Sequence, residues 1–200
     1  MRRKVFARRT ALFLFFAVLL APAEFTSRAA PKSSTPAQGG NVNVNGFFSV
    51  DPAQQGSSFQ AAIVMEIPRG LHVNGNRPLG KFAIPTTVKV DAPRGMKVSA
   101  VTYPRAEVRS FRFGNDVPAE RLAVYEGRAI MRFNVTVPAN FERGVARIRV
   151  NVRYQSCSDS VCFPPRSQEL TLPIAIVDPG HPFNRINGQY FGGGGRGRRR

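Results

Sequence analysis

Apolar and polar residues alternate with a period of two along much of this chain, and this pattern restricts it to a β-sheet fold. The clearest run is 146–155, where Ile and Val alternate with Arg and Asn, and 168–177 repeats the pattern. Because successive side chains of a strand point to opposite faces of the sheet, each run predicts a half-buried strand.

Five further segments have the composition of strands, and Pro or Gly turns separate most of them: 58–67, 86–91, 97–101, 107–113 and 129–137. No segment has helical periodicity of useful length. Several short strands with regular turn signals favour an all-β fold, and specifically a β-sandwich formed by a single domain.

Both ends of the chain differ from this central region. Residues 1–23 combine five basic residues, the short apolar run 11–21 and a small-residue cleavage site, which predicts a Sec-type signal peptide and export to the periplasm. An uncleaved membrane anchor is the alternative, although the run is short for a span. The pair Arg8-Arg9 also invites a twin-arginine interpretation, but the residues after it fit that signal poorly.

The composition then divides the exported part into three segments. Residues 24–44 are rich in Pro, Ser and Gly and predict a flexible linker, residues 45–178 form the sandwich domain, and residues 179–200 read as a disordered basic Gly/Arg tail. Weak contact of this tail with an anionic membrane surface is the functional alternative to a merely solubilising end.

The net charge of +17 exaggerates how basic the folded part is. Nine of the positive charges lie in the signal peptide and in residues 196–200, which leaves about +8 for the remainder. These charges are scattered along strands without aromatic platforms, so we expect no nucleic-acid binding.

The chain has two cysteines, Cys157 and Cys162, in the motif YQSCSDSVCFPP between the last two predicted strands. A disulfide that closes so short a loop contributes only about 2 kcal/mol to stability. In an exported protein the pair is therefore either a redox-active site or an inert structural bridge, and spacing alone does not decide between them.

Other residues around the pair give weaker indications. Asp159 is the one charge between the cysteines and disfavours a thiolate, which Arg153 and Arg166 would offset if they lie near. His72 and His181 complete four potential zinc ligands with the cysteines, but they are distant in sequence, so we expect no metal and no other cofactor.

The cysteine motif, with its flanks RIRVNVRYQ and LTLPIAIV, resembles the N-terminal periplasmic domain of the DsbD family of thiol:disulfide interchange proteins. The segment GLHVNGNRPLGKFAIPTTVKV, residues 70–90, is similar to a stretch of its stand-alone members. The resemblance covers roughly residues 45–178.

This resemblance implies an immunoglobulin-like sandwich that relays reducing equivalents as a thiol–disulfide oxidoreductase. Cys162 would be the cysteine open to attack and Cys157 its resolving partner. The family covers its disulfide with an aromatic cap loop, for which 122–127 with Tyr125 is the candidate. Partners would be periplasmic thiol oxidoreductases, including thioredoxin-like proteins.

Two departures from the family qualify this expectation. The sequence contains no transmembrane electron-transfer domain and no thioredoxin domain, so a separate membrane electron donor would have to recharge the pair. Family members often have one more residue between the cysteines, and a shorter loop alters strain and potential. The rival hypothesis is a non-enzymatic binding or assembly module with a structural disulfide.

Overall fold

The structure, a computed structural model, describes residues 41–80, 82–114 and 117–192, and these residues form strands joined by turns. In this part of the chain no helix is long and apolar enough to span a membrane. The elements follow in this order: β1 (Asn43–Phe48), β2 (Val50–Asp51), β3 (Ala53–Gln54), β4 (Ser58–Glu66), β5 (His72–Asn74), β6 (Thr87–Asp91), β7 (Lys97–Val98), β8 (Glu107–Phe111), β9 (Glu120–Tyr125), β10 (Arg128–Thr136), β11 (Gly144–Tyr154), β12 (Ser156–Cys157), β13 (Arg166–Val177), β14 (Asn184–Arg185) and a 3₁₀ helix (Gly188–Tyr190).

Two four-stranded sheets enclose the main core. One has the order β1-β4-β10-β7 and the other has the order β3-β13-β11-β6, with antiparallel pairing throughout except between β3 and β13. Inward-facing Val, Ile, Met and Phe side chains of both sheets form one continuous cluster. The immunoglobulin-like β-sandwich expected from the sequence is thereby confirmed.

The β11–β13 hairpin follows directly from the alternating pattern. Ile148, Val150, Val152 and Tyr154 are buried, whereas Arg147, Arg149 and Arg153 are exposed on the outer face. The two strands pair without interruption from Gly144↔Ile176 to Tyr154↔Arg166. Because each buried aliphatic side chain contributes about 1.5–3 kcal/mol, the register of this hairpin is strongly specified.

A third sheet, with the order β12-β5-β9-β8, extends from the end of the hairpin and carries Cys157. Beneath it lies a small separate core of Phe111, Leu122 and Val124. The sequence pattern did not indicate β5 or β9. Strand β5 has only three residues, and residues 122–125 of β9 are all buried, so neither shows an alternation.

The folded part begins earlier than residue 45. Val42 and Val44 are buried, and the carbonyl of Val42 accepts a hydrogen bond from Gln168 Nε2 (3.0 Å). Arg166, the first residue of β13, donates to Asn41 Oδ1. The last residues assigned to the linker 24–44 are therefore part of the sandwich, while the predicted signal peptide and the rest of the linker lie outside the described residues.

The segment after β13 is folded as far as residue 192, contrary to the expectation of disorder from residue 179. Strand β14 pairs with β2, Tyr190 stacks on Phe47 with ring centroids 4.3 Å apart, and Asn187 Nδ2 donates to the carbonyl of Phe48 (3.0 Å). Backbone pairing and aromatic contact offset the entropy lost on ordering. The Arg-rich residues 193–200 lie outside the described part.

Candidate functional site around the Cys157–Cys162 disulfide

Cys157 and Cys162 form a disulfide in the connection between β11 and β13, with an S–S distance of 2.05 Å. Strand β12 places the first cysteine, because Ser156 pairs with Val73 and Cys157 pairs with His72 of β5. The cysteine segment is therefore anchored to the third sheet as well as to the hairpin that carries it.

Hydrogen bonds within the loop fix its shape. The Ser158 N–H donates to the carbonyl of Val161 (2.8 Å), and the Phe163 N–H donates to the carbonyl of Ser156 (2.9 Å). The Ser158 hydroxyl oxygen also accepts from the Val161 N–H (3.1 Å). Because the backbone of this short turn is satisfied internally, the two cysteines are held in a defined arrangement.

The two cysteines differ sharply in exposure. Cys157 is fully buried, at 0% of its accessible surface, whereas Cys162 is exposed. An external thiolate must reach a sulfur atom in order to attack it. Of the two residues, Cys162 alone lies at the surface of the domain.

Beside Cys162 lies a pocket of about 220 Å³ with largely apolar walls, which we call the Cys162 pocket. Phe82, Ala83, Phe113 and Leu122 form these walls, and Asn74, Glu120 and Gln155 complete the lining. Phe82 is 84% exposed at its rim. The apolar walls and this exposed ring form a small apolar surface next to Cys162.

Amide side chains tie the Cys162 pocket to the cysteine loop. Asn74 Nδ2 donates to Gln155 Oε1 (3.2 Å), and Gln155 Nε2 donates to the carbonyl of Phe163 (3.2 Å), the residue after Cys162. Asn74 Oδ1 is buried without a hydrogen-bond partner. These contacts set the position of the polypeptide that follows Cys162.

A second pocket, of about 430 Å³, borders the loop through Asp159, and we call it the His72 pocket. Its lining includes His72, Arg109 and Glu126, the last two joined by an ion pair of 2.8 Å. His72 is buried, and its ring stacks on Phe111 with centroids 3.9 Å apart. Burial lowers the pKa of His72, and the Asp159 carboxylate raises it in part.

The sequence comparison identifies the family. The family model of the N-terminal domain of the thiol:disulfide interchange protein DsbD matches residues 42–174. The chain belongs to this family. No curated protein matches the sequence at a significant level.

Solved structures of similar fold include members of the DsbD N-terminal family. The reduced DsbD N-terminal domain of Neisseria meningitidis has a TM-score of 0.43 at 15% identity, covering 71% of this chain and 88% of that one. The N-terminal periplasmic domain of ScsB from Proteus mirabilis has a TM-score of 0.42 at 10% identity, covering 70% and 49%. The complex of the DsbD and PilB N-terminal domains from Neisseria meningitidis gives 0.38 at 17% identity, covering 62% and 80%. Family membership rests on the sequence match and not on these scores.

Membership establishes a thiol:disulfide interchange domain with a cysteine pair, and the structure shows where the other residues named from the sequence lie. Tyr125 belongs to β9 rather than to a loop, and its buried hydroxyl donates to Asn76 Oδ1 (2.8 Å). Burial raises the pKa of Tyr125. Its role as the DsbD-type cap stays a prediction, and the aromatic residues that line the Cys162 pocket are Phe82 and Phe113.

The charged and metal-ligating candidates are dispersed. Arg166 donates to Asn41, and Arg153 is exposed on the outer face of β11. Within residues 41–80, 82–114 and 117–192, no three His, Cys, Asp or Glu residues lie close enough together to hold a metal ion. His181 belongs to the segment that follows β13, where its ring contacts the carbonyl of Pro182.

In this DsbD-type domain, His72 was considered from the sequence only as a zinc ligand, and Asn74, Phe82 and Phe113 were not named as site residues. His72 and Asn74 precede the cysteines by more than 80 positions, and their contacts depend on the pairing of β5 with β12. The available signal was local: two polar residues, His72 and Asn74, alternate with the apolar residues Leu71 and Val73. Phe82 and Phe113 gave no signal, because single aromatic residues are common in cores.

Proposed function

We propose that this domain is a redox-active exchange module, which relays reducing equivalents to partner proteins through Cys157 and Cys162. The observation that carries the proposal is the asymmetry of the pair, with Cys162 exposed beside an apolar pocket and Cys157 buried behind it. An inert structural bridge does not require one accessible sulfur beside a surface for a partner.

Recharging begins with attack on Cys162. A donor thiolate forms a bond to Sγ of Cys162, the Cys157–Cys162 bond breaks, and Cys157 leaves as a thiolate that takes up a proton. The second thiolate of the donor then attacks the donor's own sulfur in the mixed disulfide and releases Cys162. The donor dithiol is oxidised to a disulfide, and two electrons and two protons reach the Cys157–Cys162 pair.

The reduced pair passes its electrons to a client protein through the same atom, Sγ of Cys162. The Cys162 thiolate attacks a client disulfide, and Cys157 then attacks Sγ of Cys162, which releases the reduced client and closes the disulfide. The Asp159 carboxylate disfavours thiolates in this loop, so partners with low-pKa cysteines are the favoured reactants.

Family membership and the predicted signal peptide support a periplasmic setting for this exchange. The clients would be periplasmic thiol oxidoreductases, including thioredoxin-like proteins, and a separate membrane protein would supply the electrons. The arginines of residues 196–200 would add a weak attraction to an anionic membrane surface.

A trapping experiment with two matched variants tests the proposal. Reduced Cys157→Ser, incubated with a thioredoxin whose resolving cysteine is replaced by Ser and whose remaining cysteine is activated as a thionitrobenzoate disulfide, should accumulate a mixed disulfide through Cys162 because neither protein retains a resolving thiol. Cys162→Ser should accumulate none, because Cys157 is buried. Non-reducing electrophoresis and peptide mass spectrometry identify the bond.

The rival structural role predicts other results. A reduction potential far below about −300 mV, with no mixed disulfide in Cys157→Ser, would sink the relay and leave a structural bridge. Removal of both cysteines should lower the free energy of unfolding by about 2 kcal/mol if the bridge acts only by closing its loop. A much larger loss would favour the structural role.

A further inference from the structure

His72 faces the buried half of the disulfide. In the pairing of β5 with β12, His72 and Cys157 are directly opposite each other. Directly opposite residues of an antiparallel pair project to the same face, with Cβ atoms about 4.5–5.5 Å apart. Both residues are buried, so these two side chains lie on the same face of the third sheet and are shielded from solvent.

Two further contacts fix the position of the imidazole. The ring lies almost parallel to Phe111, at an interplanar angle of 21°. On the side of the cysteine loop, Asp159 and His72 line the same pocket, close enough for the carboxylate to act on the imidazole. The ring is therefore held between the third sheet and the loop that carries the disulfide.

The Nε2 atom of His72 is buried and has no hydrogen-bond partner. Buried polar atoms without a partner are rare in folded proteins, so each such atom requires an explanation. In the disulfide form Cys157 has no proton to share. Reduction gives Cys157 an S–H group, which supplies a hydrogen-bond donor on the face that His72 occupies.

We propose that His72 exchanges a proton with Cys157 during thiol–disulfide exchange, an inference that rests on the proposed function. When Cys157 attacks Sγ of Cys162 in a mixed disulfide, its thiol proton passes to Nε2 as the new S–S bond forms and the client thiolate leaves. When the donor attacks Cys162, Cys157 leaves as a thiolate; the imidazole takes a proton from solvent and passes it to this sulfur. One proton moves in each direction, and the electrons stay with the sulfur atoms.

The surrounding charges suit this role. Arg69, Arg109, Glu126 and Asp159 line the pocket around His72, and Arg109 is ion-paired with both Glu126 and Glu107. Burial lowers the pKa of His72, so the ring is neutral and able to accept a proton at neutral pH. The Asp159 carboxylate favours the imidazolium once it has formed.

The rate of ring closure tests the proposal. The reduced protein is mixed with oxidised glutathione, which forms a mixed disulfide at Cys162, and the second release of glutathione reports attack by Cys157. His72→Phe retains an aromatic ring for the stack on Phe111 and removes both nitrogens. We expect closure at neutral pH to slow on the order of a hundredfold in this variant. His181→Phe, at the other histidine of the chain, should close at the wild-type rate.

The pH profile separates proton exchange from a structural effect. In the wild type, closure should be nearly independent of pH above about 6.5, the ordinary pKa of histidine. In His72→Phe it should rise about tenfold per pH unit, because closure then requires the free thiolate. Equal rates and parallel profiles in the two proteins overturn the role of His72.

A measurement on the unaltered protein guards against misfolding of the variant. The chain has two histidines, so NMR titration resolves His72 with His181 as an internal reference. Reduction of the disulfide should change the ring-nitrogen resonances and the pKa of His72 while those of His181 stay constant. An unchanged His72 overturns the proposal. Failure of the wild type to form any mixed disulfide at Cys162 would instead overturn the proposed function itself.

Discussion

Two pockets border the cysteine loop, and they differ in chemistry. The Cys162 pocket has walls of Phe82, Ala83, Phe113 and Leu122, whereas the His72 pocket contains an imidazole, two carboxylates and two guanidinium groups. The two cysteines of one disulfide therefore have different surroundings. The apolar side adjoins the exposed Cys162, and the charged side contains the imidazole of His72.

A single short strand contributes to both pockets. Within β5, His72 lines the charged pocket and Asn74 lines the apolar one. Both residues have a buried polar atom without a partner. The pairing of β5 with β12 therefore determines the surroundings of both cysteines at once.

The largest expected effect is the difference in thiol reactivity between the two cysteines. In the reduced protein, a pulse of iodoacetamide should modify Cys162 at least about a hundredfold faster than Cys157, because Cys157 reacts only after an opening that costs about 3 kcal/mol. Peptide mass spectrometry after the pulse gives both rates. Equal rates for the two cysteines would mean that Cys157 is as accessible as Cys162 once the disulfide is reduced.

The apolar side is tested next, at the rim of the Cys162 pocket. Phe82→Ser should slow exchange with reduced thioredoxin about tenfold, since a partly buried phenyl ring contributes about 1.4 kcal/mol to docking. Exchange with glutathione, which is too small to cover the rim, should keep its rate. Phe183→Ser removes an exposed aromatic ring from the segment after β13 and serves as the control. An equal decrease in the rate of exchange with thioredoxin in both variants would show that the Cys162 pocket is not a specific docking surface.

The charged side is tested through the pH dependence of stability. Burial lowers the pKa of His72 in the folded protein, so at acidic pH the unfolded chain binds a proton that the folded chain does not. The free energy of unfolding should therefore be unaffected by His72 above about pH 6.5 and fall below it, by at most about 1.4 kcal/mol per pH unit. Urea titrations of the oxidised protein at about pH 7.5 and about pH 5.5 measure this loss.

Two variants sharpen that measurement. His72→Phe should lose this part of the acid sensitivity, while Asp159→Asn should enlarge it, because the carboxylate is what raises the pKa of His72. The same acid loss in His72→Phe as in the wild type would show that other groups cause it.

The smallest expected effect is that of a substitution at Tyr125, which lines neither the Cys162 pocket nor the His72 pocket. Tyr125→Phe removes the hydroxyl that donates to Asn76 Oδ1 and accepts from the Asn76 N–H, and should destabilise the protein by about 1 kcal/mol. The rate of exchange with glutathione should change less than about twofold, because this hydroxyl only links β9 to Asn76. A clear acceleration would support a cap that depends on this hydroxyl.

Whether a strand could be predicted from the sequence depends on whether one of its faces or both of its faces are buried. Strands with one buried face, such as β11, were found from their alternation, and the hairpin around the cysteines followed from them. Strand β9 was not found, because it is buried on consecutive positions, and the segment after β13 was not found because a two-residue strand and one aromatic stack hold it. Such contacts depend on the tertiary structure and leave no periodic signal.

For the site, the cysteines were evident from the sequence and their surroundings were not. Cys157 and Cys162 lie together in the chain, so one motif reveals both. His72, Phe82 and Phe113 reach the loop from three other segments, and a single sequence holds no information on which segments pair. The resemblance implied that Cys162 is the cysteine open to attack, and the strand partners of β12 add the physical reason that Cys157 is buried.

The hydrogen bond between Arg166 and Asn41 has a consequence for attachment. Arg166 follows directly on the cysteine loop, so the chain enters the sandwich at the end that holds the disulfide. A tether on the N-terminal side would keep the exchange site within the reach of residues 24–40, at most roughly 60 Å when extended. Such a short radius would raise the effective concentration of any partner held at the same anchoring point.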